Sequence, residues 1–294
     1  MERIKEALER ARRERGARGF GEGLSLDAGA SAGLVGPVET IVYSKTRKVT
    51  VERDVLADNR LIYGRPPGVF TDAYRILATQ VLQRLKTNNW NAVAVTSPAV
   101  GEGKTLTTIN LAISLAMEVE KTVLLVDADL RRPSVHRYFG LEPQAGLGDL
   151  LISGVPLQDL LLHPDIGKFV ILPGGTPILN SSEMLGSAKM ADLVREVKTR
   201  YPSRIVLFDL PPVLSAADVL AFSPHVDCVL LVVEEGKTDS EALMRATELL
   251  KGTNLLGTVL NKSRETGLSE TKKKQMAWPR WFGRLGRLLK RKGG

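Results

Sequence analysis

Residues 92–120 constrain this chain more than any other stretch. Residues 92–96, AVAVT, form a short valine-rich run that reads as a buried strand, and 97–103, SPAVGEG, form a loop punctuated by proline and glycine. Lys104 then opens a segment whose Leu106, Ile109, Ile113 and Ala116 recur at helical spacing. Strand, tight loop and helix in that order make a cradle for phosphate. Gly101 and Gly103 admit backbone conformations closed to residues with a Cβ, and the amides at the helix start, aided by its dipole, point at phosphate oxygens. In such a loop Lys104 reaches the terminal phosphates and the Thr105 hydroxyl ligates Mg²⁺, while Glu102 and Leu106 complete the nucleotide-binding stretch. The pattern departs from the usual one at Pro98, which stands where a glycine is expected. A glycine turn before any helix could carry the letters GEGKT, so two further stretches decide the matter.

The first is VLLVDADLR, residues 123–131, an apolar strand that delivers Asp127 and Asp129 at its carboxyl end, the edge where parallel sheets bind ligands. The second is IVLFDLPP, residues 205–212, a strand ending in Asp209, placed to hold Mg²⁺ through water beside a phosphate loop. Either alone reads equally well as an ordinary strand end with solvated acids. In this order behind a phosphate loop, they specify a nucleotide site.

Charge locates a second feature. The formal net charge of +8 could suggest nucleic acid, but residues 271–294 hold nine basic residues and no acidic one, so the rest of the chain is close to neutral. No nucleic-acid partner is expected. No apolar run approaches the roughly 20 residues that span a bilayer, and the charged N-terminus lacks a signal peptide's apolar core, which predicts a cytoplasmic protein. The single cysteine, Cys228, lies in an apolar run and reads as an inert buried thiol. His136, His163 and His225 are scattered, which supports neither a zinc site nor a histidine-based triad.

Along the chain, residues 1–18 read as a charged N-terminal helix and 19–70 as a flexible, glycine-rich linker or arm, β-prone over 41–51. Residues 71–85 predict a helix capped by Thr71, the first element of a domain extending to residue 268. Apolar runs at 123–126, 169–172, 205–208, 229–233 and 258–260 alternate with helical patterns, clearest at 187–200 and 239–251. That alternation predicts an α/β fold, a mostly parallel sheet with helices on both faces.

The three site stretches, with DLRRPSVHRYFGL (129–141), SSEMLGS (181–187), DLPPVLSAADV (209–219) and GTVLNK (257–262), resemble the bacterial tyrosine kinases of exopolysaccharide and capsule loci. The resemblance covers residues 71–264 and implies a deviant P-loop fold that transfers the ATP γ-phosphoryl group to tyrosine. Carried over, Lys104 and Thr105 serve phosphate and Mg²⁺, and Asp209 supports the metal. Asp127 orients or deprotonates the incoming hydroxyl and joins Asp129 at the metal. Asn261 resembles the adenine-contacting asparagine of related ATPases, with a structural turn as the competing reading. The resemblance also implies a separate transmembrane co-polymerase or chain-length regulator as activating partner, and a homo-oligomer.

Two departures bear on that reading. Many members end in a tyrosine cluster, whereas here Tyr43, Tyr63, Tyr74, Tyr138 and Tyr201 are dispersed and none follows residue 201. The family's E-x-x-R-x-x-R ring helix is matched by Asp72, Arg75 and Ala78, without the last arginine, which counts against a ring. In the tyrosines' place, within 269–294, stands AWPRWFGRLGRLLKRK. Its Trp278, Trp281, Phe282, Leu285, Leu288 and Leu289 alternate with basic residues as in an interfacial helix, predicting an anionic membrane surface as partner at the inner face of the cell membrane. The rival reading is a membrane-docking switch ATPase similar to the division-site and plasmid-partition ATPases. Against it, their signature lysine falls at Ala99.

Overall fold

A computed structural model describes residues 46–117, 122–200 and 203–263. The N-terminal helix, the linker up to residue 45, Tyr43, Tyr201 and the basic tail lie outside the described residues.

The sheet contains β1 (Arg47–Lys48), β2 (Ala92–Thr96), β3 (Thr122–Asp127), β4 (Leu162–His163), β5 (Phe169–Leu172), β6 (Arg204–Asp209), β7 (Cys228–Glu234) and β8 (Leu255–Asn261). Across it the order is β1-β4-β5-β3-β6-β2-β7-β8, and every neighbouring pair is parallel except β4–β5. The strand order reverses beside β2, so its carboxyl end opens onto a crevice where such sheets bind ligands.

Alternation along each strand feeds two apolar layers. From β2, Val93 and Val95 join one layer with Leu125, Leu207 and Leu230, while Ala92 and Ala94 join the other with Val126, Phe208 and Leu231. Helices α1 (Arg53–Asp58), α2 (Val69–Asn88), α3 (Lys104–Ala116) and α4 (Val135–Tyr138) contribute to the first layer through residues such as Leu56, Val81, Ile109 and Val135. The second layer takes Leu147, Leu160, Leu185 and Met190 from α5 (Leu147–Ser153), α6 (Leu157–Leu160), α7 (Ser181–Leu185) and α8 (Ala188–Thr199), and Val219 and Ala246 from α9 (Asp218–Phe222) and α10 (Ser240–Leu249). Each fully buried Val or Leu contributes about 1.5–3 kcal/mol, so the continuous apolar runs of the central strands account for much of what holds the two layers together. The chain thus has the expected mostly parallel α/β architecture. Cys228 is buried, and burial pushes its thiol up to about 12.

The structure departs from the sequence reading at the arm. Leu56 and Leu61 are buried in the first layer, and the buried Asn110 of α3 accepts from the Ile62 amide and donates to the Arg60 carbonyl. Residues 46–62 therefore pack as part of the body, because α3 presents apolar and amide groups that need cover. Thr71 is not the cap of α2. It sits inside the helix, where its Oγ1 accepts from the Gly68 amide at 2.9 Å. Of the three ring-helix positions, Asp72 and Arg75 pair with each other on the surface, while Ala78 is buried in the core.

Candidate active site

The loop between β2 and α3 is shaped by two glycines. Gly101 and Gly103 have φ of +84° and +87°, a region that a Cβ makes costly. At Gly103 space is also closed, since a Cβ would lie 2.2 Å from Asn261 Nδ2. Glu102, between them, is turned inward. Its carboxylate accepts from the Ala99 amide at 3.0 Å and from Thr238 Oγ1 at 2.5 Å, and Asn261 Nδ2 donates to its carbonyl at 2.8 Å. Lys262 donates to the Gly101 carbonyl at 2.8 Å and to Glu234 at 2.9 Å. The loop is thus held by residues near the ends of β7 and β8, and Asn261, expected at adenine, spends its amide on that clamp.

Beneath the loop three acids converge on one lysine. Lys104 Nζ lies 3.0 Å from Asp129 Oδ2, 3.4 Å from Asp209 Oδ2 and 3.2 Å from Thr105 Oγ1. Thr105 Oγ1 donates to Asp209 Oδ2 at 2.7 Å, and Thr108 adds a longer contact to Oδ1. Asp127 Oδ2 accepts from the amides of Ser134 and Val135 at 2.8 and 2.9 Å, leaving Oδ1 buried without a hydrogen-bond partner among the described residues.

Burial, and then the neighbouring Asp209, push the Asp127 carboxyl up to about 7, against the two amides and Lys104. Burial likewise raises Asp209, with Lys104 and Thr105 opposing. For Lys104 burial acts downward, but the carboxylates of Asp209 and Asp129 outweigh it and hold the amine above its ordinary range.

These groups adjoin a cavity of about 750 Å³. Of the residues named from the sequence, Gly101, Gly103, Lys104, Thr105, Leu106 and Asp129 line it. Glu102, Asn261, Asp127 and Asp209 do not reach its wall. Asp127 and Asp209 have no exposed surface, and Lys104, which does line the cavity, lies against Asp209. Arg131, Arg132, Arg137 and Tyr138, to which the sequence reading gave no role in the site, line the cavity as well. Arg131 is fixed there by Ser181 at 2.9 Å and the buried Asp218 at 3.2 Å.

The donor set fits a nucleotide with Mg²⁺. Two left-handed glycines leave a cradle that a Cβ would fill, Thr105 supplies a hydroxyl, and Asp127 keeps a spare buried acceptor. Among the described residues no three acidic, histidine or cysteine groups cluster as a metal cage.

Residues 93–280 match the family model of the CobQ/CobB/MinD/ParA nucleotide binding domain. Tyrosine-protein kinase YwqD of Bacillus subtilis (strain 168) is 32% identical over 219 residues, covering 74% of this chain and 89% of the relative. Succinoglycan biosynthesis transport protein ExoP of Rhizobium meliloti (strain 1021) is 30% identical over 70% of this chain, which spans only 26% of ExoP. Among solved structures, the kinase domain of Escherichia coli tyrosine kinase ETK superposes with a TM-score of 0.62 at 25% identity, covering 75% of this chain and 89% of that one. The phosphate loop, its three acids and these relatives together establish that the chain belongs to the bacterial tyrosine-protein kinases of the CobQ/CobB/MinD/ParA nucleotide-binding family.

Proposed function

We propose that the protein is an ATP-dependent protein-tyrosine kinase acting in exopolysaccharide biosynthesis or export. The observation that carries the reading is the convergence of Lys104, Thr105, Asp129 and the buried Asp127 and Asp209 at one cavity beside a phosphate loop. The names of YwqD, ExoP and the ETK kinase domain support it.

The amides of residues 101–105 would hold the ATP phosphates, and Thr105, Asp209, Asp129 and Asp127 would hold Mg²⁺. When bound, Mg²⁺ supplies neutralisation of phosphate charge. Lys104 lies across the acids, and moving onto phosphate oxygens it uncovers Asp127. With its carboxyl near pH 7, Asp127 is matched to taking the proton of a tyrosine hydroxyl. The tyrosine oxygen forms a bond to the γ-phosphorus, the bond to the ADP oxygen breaks, and the hydroxyl proton passes to Asp127.

A separate membrane-embedded co-polymerase supplies activation, and the basic tail holds the kinase at the inner membrane surface. Among the described residues no helix is long and apolar enough to cross a membrane. The test is phosphotyrosine mass spectrometry after incubation with Mg-ATP and anionic vesicles, with Asp127→Asn as control. Phosphotyrosine present in the wild type and absent from the control supports the kinase. ATP hydrolysis with no phosphotyrosine favours the switch ATPase.

A further inference from the structure

The basic residues that line the cavity differ in how they are compensated. Lys104 is paired with Asp129 and Asp209, and Lys262 with Glu234. Arg131 is paired with the buried Asp218. Arg132 and Arg137 differ from all of these. Both line the cavity, both are exposed, and among the described residues neither side chain forms an ion pair. They follow Asp129, on the short segment that also supplies the amides holding Asp127. Two uncompensated guanidiniums at the open wall of a phosphoryl-transfer site raise the local concentration of anionic partners and can pair with carboxylates bidentately.

The chain's own tyrosines do not suit such a wall. Counting charges within four positions on either side, none of the five has a net negative neighbourhood, and Tyr43, Tyr63 and Tyr201 are flanked by net positive charge. Tyr74 is buried in addition.

We infer that Arg132 and Arg137 form a docking wall for an acidic segment around the acceptor tyrosine, so that the acceptor lies on another, acidic polypeptide rather than on this chain. The inference rests on the kinase reading and adds its substrate class. The carboxylates flanking the acceptor pair with the two guanidiniums while its hydroxyl enters beside Asp129.

The test uses the full chain with Mg²⁺ and a non-hydrolysable ATP analogue. Two fluorescein-labelled peptides are compared by anisotropy, one with a single tyrosine flanked by glutamates, the other with lysines in their place. Phosphate transfer from ATP to each peptide is measured alongside. The acidic peptide should bind about tenfold tighter, the scale of two modest charge contacts, with a preference that weakens as salt rises. In the doubly charge-reversed variant, Arg132→Glu with Arg137→Glu, the preference should invert toward the lysine peptide. A gained preference cannot come from misfolding. Equal binding of both peptides by the wild type overturns the inference, and transfer to either peptide then leaves the kinase reading standing. Salt-sensitive acidic preference that inverts in the variant supports the wall, and transfer to the acidic peptide alongside it supports the kinase reading. A preference that survives charge reversal overturns the assignment to these two arginines.

Discussion

Asp127 and Asp209 are register partners at the carboxyl ends of β3 and β6, so two fully buried carboxyl groups stand on adjacent strands. Strands in a sheet lie about 4.8 Å apart, and in such a site neither acid can ionise without raising the other's proton affinity. Lys104 partly offsets this for both. The arrangement concentrates negative charge where a phosphate-bound cation is needed, and the unliganded fold bears the cost.

That cost has a sign. The Asp127 carboxyl is raised to about 7 in the folded chain, while an unfolded one titrates near 3.9. Between those values the folded chain keeps a proton that the unfolded chain has released. Stability from this group is therefore fully present below about pH 4 and lost as pH rises through about 7, on the order of 4 kcal/mol at most. Asp127→Asn removes the charge. Without nucleotide or Mg²⁺, its melting temperature relative to wild type should be higher at pH 8 than at pH 5. A difference that does not change with pH would refute the assignment.

Lys104→Met removes the cation that faces all three acids. Turnover depends on positioning and charge neutralisation, so phosphate transfer should fall by at least ~10²-fold, the scale seen when one preorganised charge contact is lost. The fold should weaken too, since the buried Asp209 loses its cation and Asp129 its partner. Phosphotyrosine formation and thermal melting together check this. Undiminished ATP-dependent phosphorylation in the purified variant sinks the site assignment.

What the sequence disclosed depended on locality. The run at 169–172 became β5 with the same bounds, and 187–200 and 239–251 became α8 and α10, capped by Ser187 and Asp239. The acids were legible because Asp127 and Asp209 each end an apolar strand and Asp129 follows two residues after one. Two-residue strands such as β1 and β4 carry no readable period. The clamp on the loop was invisible for a different reason: Glu102 meets Thr238 across 136 positions, and no local pattern marks either. Arg131 and Asp218 pair across 87 positions in the same way. In Leu56 and Leu61 the signal was present, two leucines inside a charged stretch, but the glycine-rich sequence before them outweighed it.

Gly103→Ala tests the clamp. The new Cβ meets the Asn261 amide, and its φ of +87° adds roughly 1–2 kcal/mol of backbone strain. Nucleotide affinity and melting temperature should both fall. Adding Asn261→Ala removes the collision but not the strain, so the double variant should recover part of the loss. If the second change deepens the loss by its full separate effect, Gly103 and Asn261 are not coupled and the clamp is misassigned.

The basic tail gives the last prediction. Residues 271–294 hold nine Lys and Arg and no acid, with tryptophans and leucines at helical spacing between them. Each basic residue near an anionic bilayer contributes about 1 kcal/mol, incompletely additive, and apolar insertion adds to that. Electrostatic attraction of this kind falls within a Debye length, so it should weaken between low and physiological salt while the apolar part persists. The intact chain should therefore co-sediment with vesicles rich in anionic lipid and much less with neutral ones. Deleting 271–294 should abolish co-sedimentation while leaving nucleotide binding by the body unchanged, because no residue of the site falls in the deleted segment. Equal sedimentation of the intact and shortened chains would exclude the tail as the membrane anchor.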